Sequence, residues 1–263
     1  MLSALVSLTA LAMAGAITGS FLALISQRYS PPLSTTQWLR SLCHPASRCS
    51  GCRQRLAWRD LIPVISWLAL GGRCRYCHCA ITAQPLIFEL ICALIFISSG
   101  MLFSSRIMQL CVALCGCLLL LLADIDRRYQ RLPDCLTSLL LWSGLARTLF
   151  QSELNASTAV LGAFAGYLAF WLLALLYRLL RKREGLGRGD MKLFAALGAW
   201  TGWQALPLIA TIAASLAFGM LMIFYLAGKA WTKETPLPFG PFLAAAGWYV
   251  VIAQSPLSQN LLL

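Results

Sequence analysis

Two aspartates, Asp126 and Asp190, fall at the ends of apolar runs in a chain of 263 residues that carries only nine acidic side chains. A carboxylate near a bilayer is costly, which makes each of them a candidate for function. Two carboxyl groups brought together can divide the work of hydrolysis. The ionised one takes a proton from water, and the neutral one gives a proton to the leaving amine. Asp190 closes the run Gly187-Arg188-Gly189-Asp190, which joins a basic segment to a new apolar stretch. Gly187 and Gly189 permit backbone conformations and close approaches that a side chain would block. Asp190 is expected to enter a helix N-terminus, whose partial positive charge favours its anion, with Lys192 adding positive charge nearby. Asp126, at a desolvated boundary and opposite another carboxylate, is expected to hold a proton more readily. Such a pair titrates jointly, so which aspartate carries the proton stays open.

Asp124 stands two residues before Asp126. On a helix the two point about 200° apart, so both cannot face Asp190. Asp134 follows a proline suited to the first turn of a helix and reads as a carboxylate favoured by that helix N-terminus. Glu89 enters an apolar run after a long polar segment, where a buried acid is costly unless paired.

A second chemistry lies in Cys49-x-x-Cys52 and Cys74-x-x-Cys77. Two such knuckles can bring four thiolates to tetrahedral positions about 2.3 Å from a zinc ion, and an all-sulfur shell implies a closed structural site. Cys43, His44, His78 and Cys79 are taken as bystanders, His44 and Cys79 because they lack a partner at knuckle spacing. Cys92, Cys111, Cys115, Cys117 and Cys135 lie in or beside apolar runs, where a free thiol acts as a small hydrophobe.

The elements that must position these groups are membrane helices. The chain is 59% hydrophobic, well above the roughly 45–50% of soluble domains. Apolar runs suited to a span of about 20 residues recur: Leu2–Ile25, Pro85–Phe103, Ile107–Ala123, Pro133–Phe150, Ala159–Leu180, Leu193–Leu208, Ile209–Ala227 and Phe239–Ala253. The boundary between the sixth and seventh falls around Thr201–Pro207. The expected fold is an all-α polytopic bundle of about eight transmembrane helices. Its parts are a first helix over residues 1–26, a zinc-binding loop over 27–84 and a helical bundle over 85–263.

The net charge of +12 does not point to nucleic acid, because of where it lies. Of 21 Lys and Arg, 19 fall in or beside alternate loops and two, Arg106 and Arg147, in or beside the others. The positive-inside rule then puts the basic loops in the cytoplasm and both termini outside, as an even number of spans requires. No basic residue precedes Arg28, so the first apolar run reads as a retained anchor and not as a signal peptide. Because the cysteine loop faces a reducing compartment, disulfides are disfavoured. Gly15-x-x-x-Gly19, Gly162-x-x-x-Gly166 and Gly198-x-x-x-Gly202 are small-residue stripes for close helix packing.

In these motifs and their order the chain resembles the type IV prepilin peptidases, bacterial inner-membrane enzymes of the Gly-x-Gly-Asp aspartyl type. Gly19-Ser20-Phe21-Leu22 resembles the family's opening motif. The cysteine knuckles follow, and then Pro85 and Glu89. Asp126 with Leu132-Pro133-Asp134 resembles the first catalytic motif, Gly187-Arg188-Gly189-Asp190-Met191-Lys192 the second, and Phe239-Gly240-Pro241-Phe242 the last cytoplasmic loop. Only Asp126 stands at the family's distance from Pro133-Asp134, which selects it over Asp124, left as a cap or polar rim residue. The resemblance implies cleavage after the glycine of a short basic leader, at the cytoplasmic membrane face, on a prepilin or pseudopilin whose apolar helix enters from the lipid. Many family members also methylate the new N-terminus with S-adenosylmethionine. Here Ala23, Gln27-Arg28-Tyr29-Ser30 and Ala83-Gln84-Pro85 depart from the family pattern, which sets methylation apart from the peptidase motifs.

Two other classes compete. An ion- or proton-coupled transporter would place its acids near the midplane and show an internal repeat; these acids lie at loop edges. A non-catalytic assembly protein would account for the cysteines but not for the two aspartates.

Overall fold

A computed structural model describes residues 2–31, 35–43, 47–49, 51–150, 155–182, 187–228 and 237–255. His44, Arg183, Lys229 and Lys233 lie outside the described residues. The chain divides into two compact units, Met1–Met101 and Leu102–Leu263.

The first unit holds α1 (Leu2–Arg28), α2 (Thr35–Cys43), the two cysteine knuckles, α3 (Ile65–Ala69) and α4 (Gln84–Leu102). The Gly15 and Gly19 stripe lies against the α4 backbone: a Cβ on Gly15 would meet Cys92 O and Ala93, and one on Gly19 would meet Phe88 O and Glu89. Small residues therefore set the approach of α1 to α4, as the stripe suggested. Arg28, at the end of α1, donates to the Ser41 and Leu42 carbonyls at 2.5 and 3.0 Å, satisfying the open end of α2. Trp38 of α2 is buried and meets Tyr29 edge-on at 5.3 Å.

The second unit holds α5 (Arg106–Tyr129), α6 (Asp134–Arg147), α7 (Ala156–Arg181), α8 (Arg188–Thr201), α9 (Leu206–Leu226) and α10 (Gly240–Ala253). Helix α8 is its centre and is buried at every position from Leu193 to Thr201. Glycines let its neighbours come close: a Cβ on Gly162 of α7 would strike Gly198 O, and one on Gly144 of α6 would lie 2.7 Å from the Trp200 ring. The Trp200 indole N–H donates to Leu140 O at 2.9 Å. Arg147, in the last turn of α6, is buried with its guanidinium 5.4 Å from the Trp200 ring centroid.

Helices α1, α4, α5 and α7, together with the Trp203–Leu226 segment that contains α9, are long and apolar enough to cross a membrane. Helices α6, α8 and α10 stand where the other three spans were expected. At 14 residues each, they reach about 21 Å, short of the roughly 30 Å hydrocarbon thickness. The break between the sixth and seventh spans falls inside the expected Thr201–Pro207 window. Gly202, at φ +79°, ends α8, a 3-10 turn runs Trp203–Ala205, and α9 begins at Leu206 with Pro207 in its first turn. Leu206–Leu208 therefore belongs to the later helix, because glycine permits the turn and proline suits a helix start.

Candidate active site and metal centre

Asp126 lies one turn from the end of α5, and Asp190 is the third residue of α8. Both are buried, at 6% and 9% exposure, in a unit whose core is mainly aliphatic and aromatic. Their carboxylates are within electrostatic reach of each other. Asp126 Oδ2 accepts a 2.9 Å hydrogen bond from the backbone N–H of Gly240, the first residue of α10. One of the donors left open by the start of α10 thus finds its acceptor on α5. On the other side, the Asp190 N–H donates to Gly187 O at 3.1 Å, closing the first turn of α8. Each carboxylate is thereby placed at a helix N-terminus, Asp126 against that of α10 and Asp190 inside that of α8.

The glycines of this region are spatially constrained. A Cβ on Gly240 would lie 2.6 Å from Asp126 Oδ2, one on Gly189 2.9 Å from the Leu132 side chain, and one on Gly187 3.3 Å from Asp190 Oδ2. Gly189 thus brings the start of α8 against the connection that leads from Asp126 to Pro133. An aromatic set flanks the site: Phe170 stacks on Phe194 at 4.1 Å and lies 6.4 Å from Phe239, the residue before Gly240.

Asp124 points elsewhere, as helical geometry required. Arg127 and Arg128 grip its two oxygens at 2.8 and 3.0 Å. Lys192 departs from expectation. Its ammonium forms a 2.6 Å ion pair with Asp134, the first residue of α6, so its charge is directed to that carboxylate and not to Asp190. Positions two apart on a helix point about 200° from each other, which puts Lys192 on the other side of α8. The pair joins the beginnings of α6 and α8. The Gly240 amide was missed in the sequence reading, since a backbone donor leaves no side-chain signal. A glycine-proline pair opening an apolar helix was the only hint.

In the first unit, the sulfurs of Cys49, Cys52, Cys74 and Cys77 all lie within 4.8 Å of one another. The Cys49–Cys77 separation of 3.7 Å matches the edge of about 3.8 Å that a tetrahedron with 2.3 Å zinc–sulfur bonds demands. The two knuckles are built alike. Cys49 N–H donates to Gln54 O and Arg53 N–H to Cys49 O, both at 3.0 Å; Cys74 N–H donates to Cys79 O at 2.9 Å and His78 N–H to Cys74 O at 3.0 Å. Arg53 and His78 hold matching left-handed conformations, φ +58° and +55°. In each knuckle the amide two residues on donates to the first sulfur, Gly51 to Cys49 at 3.4 Å and Tyr76 to Cys74 at 3.5 Å. The backbone N–H groups of Cys52 and then Gly51 pull the Cys49 thiol down to about 6, readying it as a ligand. These features fit a bound zinc ion. Asp60 secures the second knuckle, accepting from Arg75 at 2.8 Å and from the Ala57 N–H at 3.3 Å. Cys79, expected to stand apart, has its sulfur 3.4 Å from that of Cys49 and 3.1 Å from that of Cys77.

Glu89 is buried in the first turns of α4, and its Oε2 accepts the Val64 N–H at 2.7 Å.

Residues 113–224 match the type IV leader peptidase family, and residues 13–103 match the bacterial peptidase A24 N-terminal domain. The chain is similar to the prepilin leader peptidase/N-methyltransferase of Dickeya chrysanthemi, 39% identical over 257 residues that cover 91% of this chain and 90% of that one. It is 38% identical to the protein of the same description from Pectobacterium carotovorum subsp. carotovorum, with 92% of each chain covered. That from Burkholderia pseudomallei strain 1026b is 39% identical, with 89% of this chain and 81% of the relative covered. No solved structure matches the chain.

Proposed function

Because the chain belongs to the type IV leader peptidase family, we propose that it is a multi-pass membrane endopeptidase that removes the leader of prepilins or pseudopilins, with Asp126 and Asp190 as its catalytic pair. The observation that carries this reading is the burial of the two aspartates within electrostatic reach of each other, with Asp126 held by the Gly240 amide. Like charges that interact where solvation is poor favour a state in which one carboxyl is ionised and the other protonated. The ionised group draws a proton from a water molecule as that water attacks the scissile carbonyl. The protonated one gives its proton to the amine nitrogen as the peptide bond breaks, leaving a free leader carboxylate and a new N-terminal amine. The Gly240 N–H holds Asp126 Oδ2 in place. Supporting positions are Gly187 and Gly189, which let Asp190 and Leu132 sit close, and the Asp134–Lys192 pair between the helix starts.

The knuckle cysteines Cys49, Cys52, Cys74 and Cys77 would hold a structural zinc ion, which contributes folding energy to its loop. The charge asymmetry supports a bacterial inner-membrane location with knuckles and aspartates at the cytoplasmic face, where a leader ending in glycine and followed by an apolar helix would be cut. The family assignment sets the transporter reading aside. Methylation of the new amine would draw on S-adenosylmethionine. Among the positions that depart from the family pattern, Ala23 is buried in α1 and the Gln27 amide donates to Gln84 at 3.2 Å. The peptidase mechanism needs no such donor.

The test is purified enzyme in lipid vesicles with a prepilin and the same prepilin altered at its leader glycine, read by mass spectrometry with and without S-adenosylmethionine. Cleavage of the first and not the second is expected. An intact prepilin with folded, membrane-inserted protein would overturn the reading, and a product heavier by one methyl group would add the second activity.

A further inference from the structure

The two knuckles share a hydrogen-bond frame but differ in what occupies the fifth position after their first cysteine. In the first knuckle it is Gln54; in the second it is Cys79. That thiol turns towards one sulfur of each knuckle. It lies 3.1 Å from Cys77 Sγ and 3.4 Å from Cys49 Sγ, and so spans one of the four edges that join the two knuckles. Both separations are shorter than the edge of about 3.8 Å between two ligands of one zinc ion, so a small shift carries Cys79 into a neighbouring ligand position. The first knuckle makes room for it: a Cβ on Gly51 would lie 2.9 Å from Cys79 Sγ. Cys77 is exposed, whereas Cys79 is partly covered. The more accessible of two adjacent thiols therefore has a sheltered neighbour.

We propose that the knuckles form a five-thiol zinc site in which Cys79 is a reserve ligand, taking the place of Cys77 when that thiol is lost. The metal stays four-coordinate throughout: Cys79 gives up its proton to solvent as its sulfur bonds zinc, and Cys49, Cys52 and Cys74 remain. The proposal rests on the knuckles binding zinc and is independent of peptidase activity.

The test uses the full-length protein in detergent, in the forms wild type, Cys77→Ser, Cys79→Ser, Cys77→Ser/Cys79→Ser and Cys52→Ser. Zinc is measured per chain, and cobalt is exchanged in to count thiolates by the intensity of sulfur-to-metal charge-transfer absorption. Wild type, Cys77→Ser and Cys79→Ser should each retain zinc, and cobalt-loaded Cys77→Ser should keep the four-thiolate intensity of wild type. The double variant should fall to three thiolates and release metal to a chelator faster, by about 10–100-fold. Cys52→Ser, at a position for which Cys79 is not the reserve, should show three thiolates. Should Cys77→Ser be poorly folded, alkylation of zinc-loaded wild type gives the same comparison, with protein modified at Cys77 told from protein modified at the equally exposed Cys52 by peptide mass spectrometry. A three-thiolate spectrum for Cys77→Ser, or for the alkylated protein, equal to that of the double variant overturns the reserve role. Wild type free of zinc would instead overturn the metal reading on which it rests.

Discussion

Gly240 and Asp126, 114 residues apart, are joined by a single hydrogen bond in which the glycine N–H donates to Asp126 Oδ2 at 2.9 Å. The relationship is also steric, since any side chain at 240 would begin 2.6 Å from that oxygen. Alanine at position 240 must therefore push the carboxylate aside or open the start of α10. Hydrogen bonds to charged groups contribute about 1.5–3 kcal/mol. Gly240→Ala is expected to lower the rate of prepilin cleavage by roughly 10–100-fold, with the substrate concentration for half-maximal rate little changed. A variant that cleaves at the wild-type rate would show that α10 does not position Asp126.

Asp126→Asn and Asp190→Asn should each abolish cleavage while the protein still inserts, and the double variant should be no worse than either single one, because a pair that shares one proton fails as a unit. Asp124→Asn supplies the contrast. That carboxylate is engaged by Arg127 and Arg128, so its loss should leave cleavage largely intact and loosen the end of α5. An active Asp126→Asn beside an inactive Asp124→Asn would reverse the assignment.

The Asp134–Lys192 pair joins the two motif segments, yet both partners are substantially exposed, at 73% and 40% of their side chains. Exposed ion pairs are typically worth about 0–1 kcal/mol. Asp134→Asn and Lys192→Met should therefore each reduce cleavage by less than about tenfold, with a coupling of no more than about 1 kcal/mol in a double-mutant cycle. High salt should narrow the difference from wild type. A loss as severe as that of Asp190→Asn would give the pair a direct part in the chemistry.

What could be read from the sequence was whatever depends on spacing within one segment. The helices stand where apolar runs lie. Asp124 and Asp126 diverge as their two-residue separation demands, and Cys49, Cys52, Cys74 and Cys77 converge as paired knuckles do. What could not be read depends on contacts between distant segments. The donor to Asp126 is a main-chain N–H on another helix. Lys192 was assigned to the nearest acid in sequence, whereas the fold offers it Asp134 across two helix starts. Cys79 looked partnerless because knuckle spacing counts only Cys-x-x-Cys, and its neighbours come from folding the second knuckle onto the first. The ends of α6 and α8 were overread for a related reason: hydropathy runs on past the residue where glycine or a loop ends the helix.

Glu89 and Val64 give the last expectation. Val64 precedes α3 with φ +60°, a conformation that β-branched residues strongly resist. Residues held in such regions carry about 1–3 kcal/mol of strain and persist when their surroundings fix them. The buried Glu89 carboxylate is one such constraint, accepting the Val64 N–H at 2.7 Å. Glu89→Gln keeps an oxygen in the same place, so α3 should remain ordered. Glu89→Ala removes the acceptor and leaves a partly buried donor open, and the amides of residues 64–69 should then exchange with solvent much faster than in the glutamine variant. Val64→Gly adds the converse test, because glycine accepts positive φ without penalty. Combined with Glu89→Ala, it should restore part of the lost protection, since the carboxylate no longer has strain to oppose. Equal exchange in Glu89→Ala and wild type would mean that packing alone, and not this hydrogen bond, holds the turn before α3.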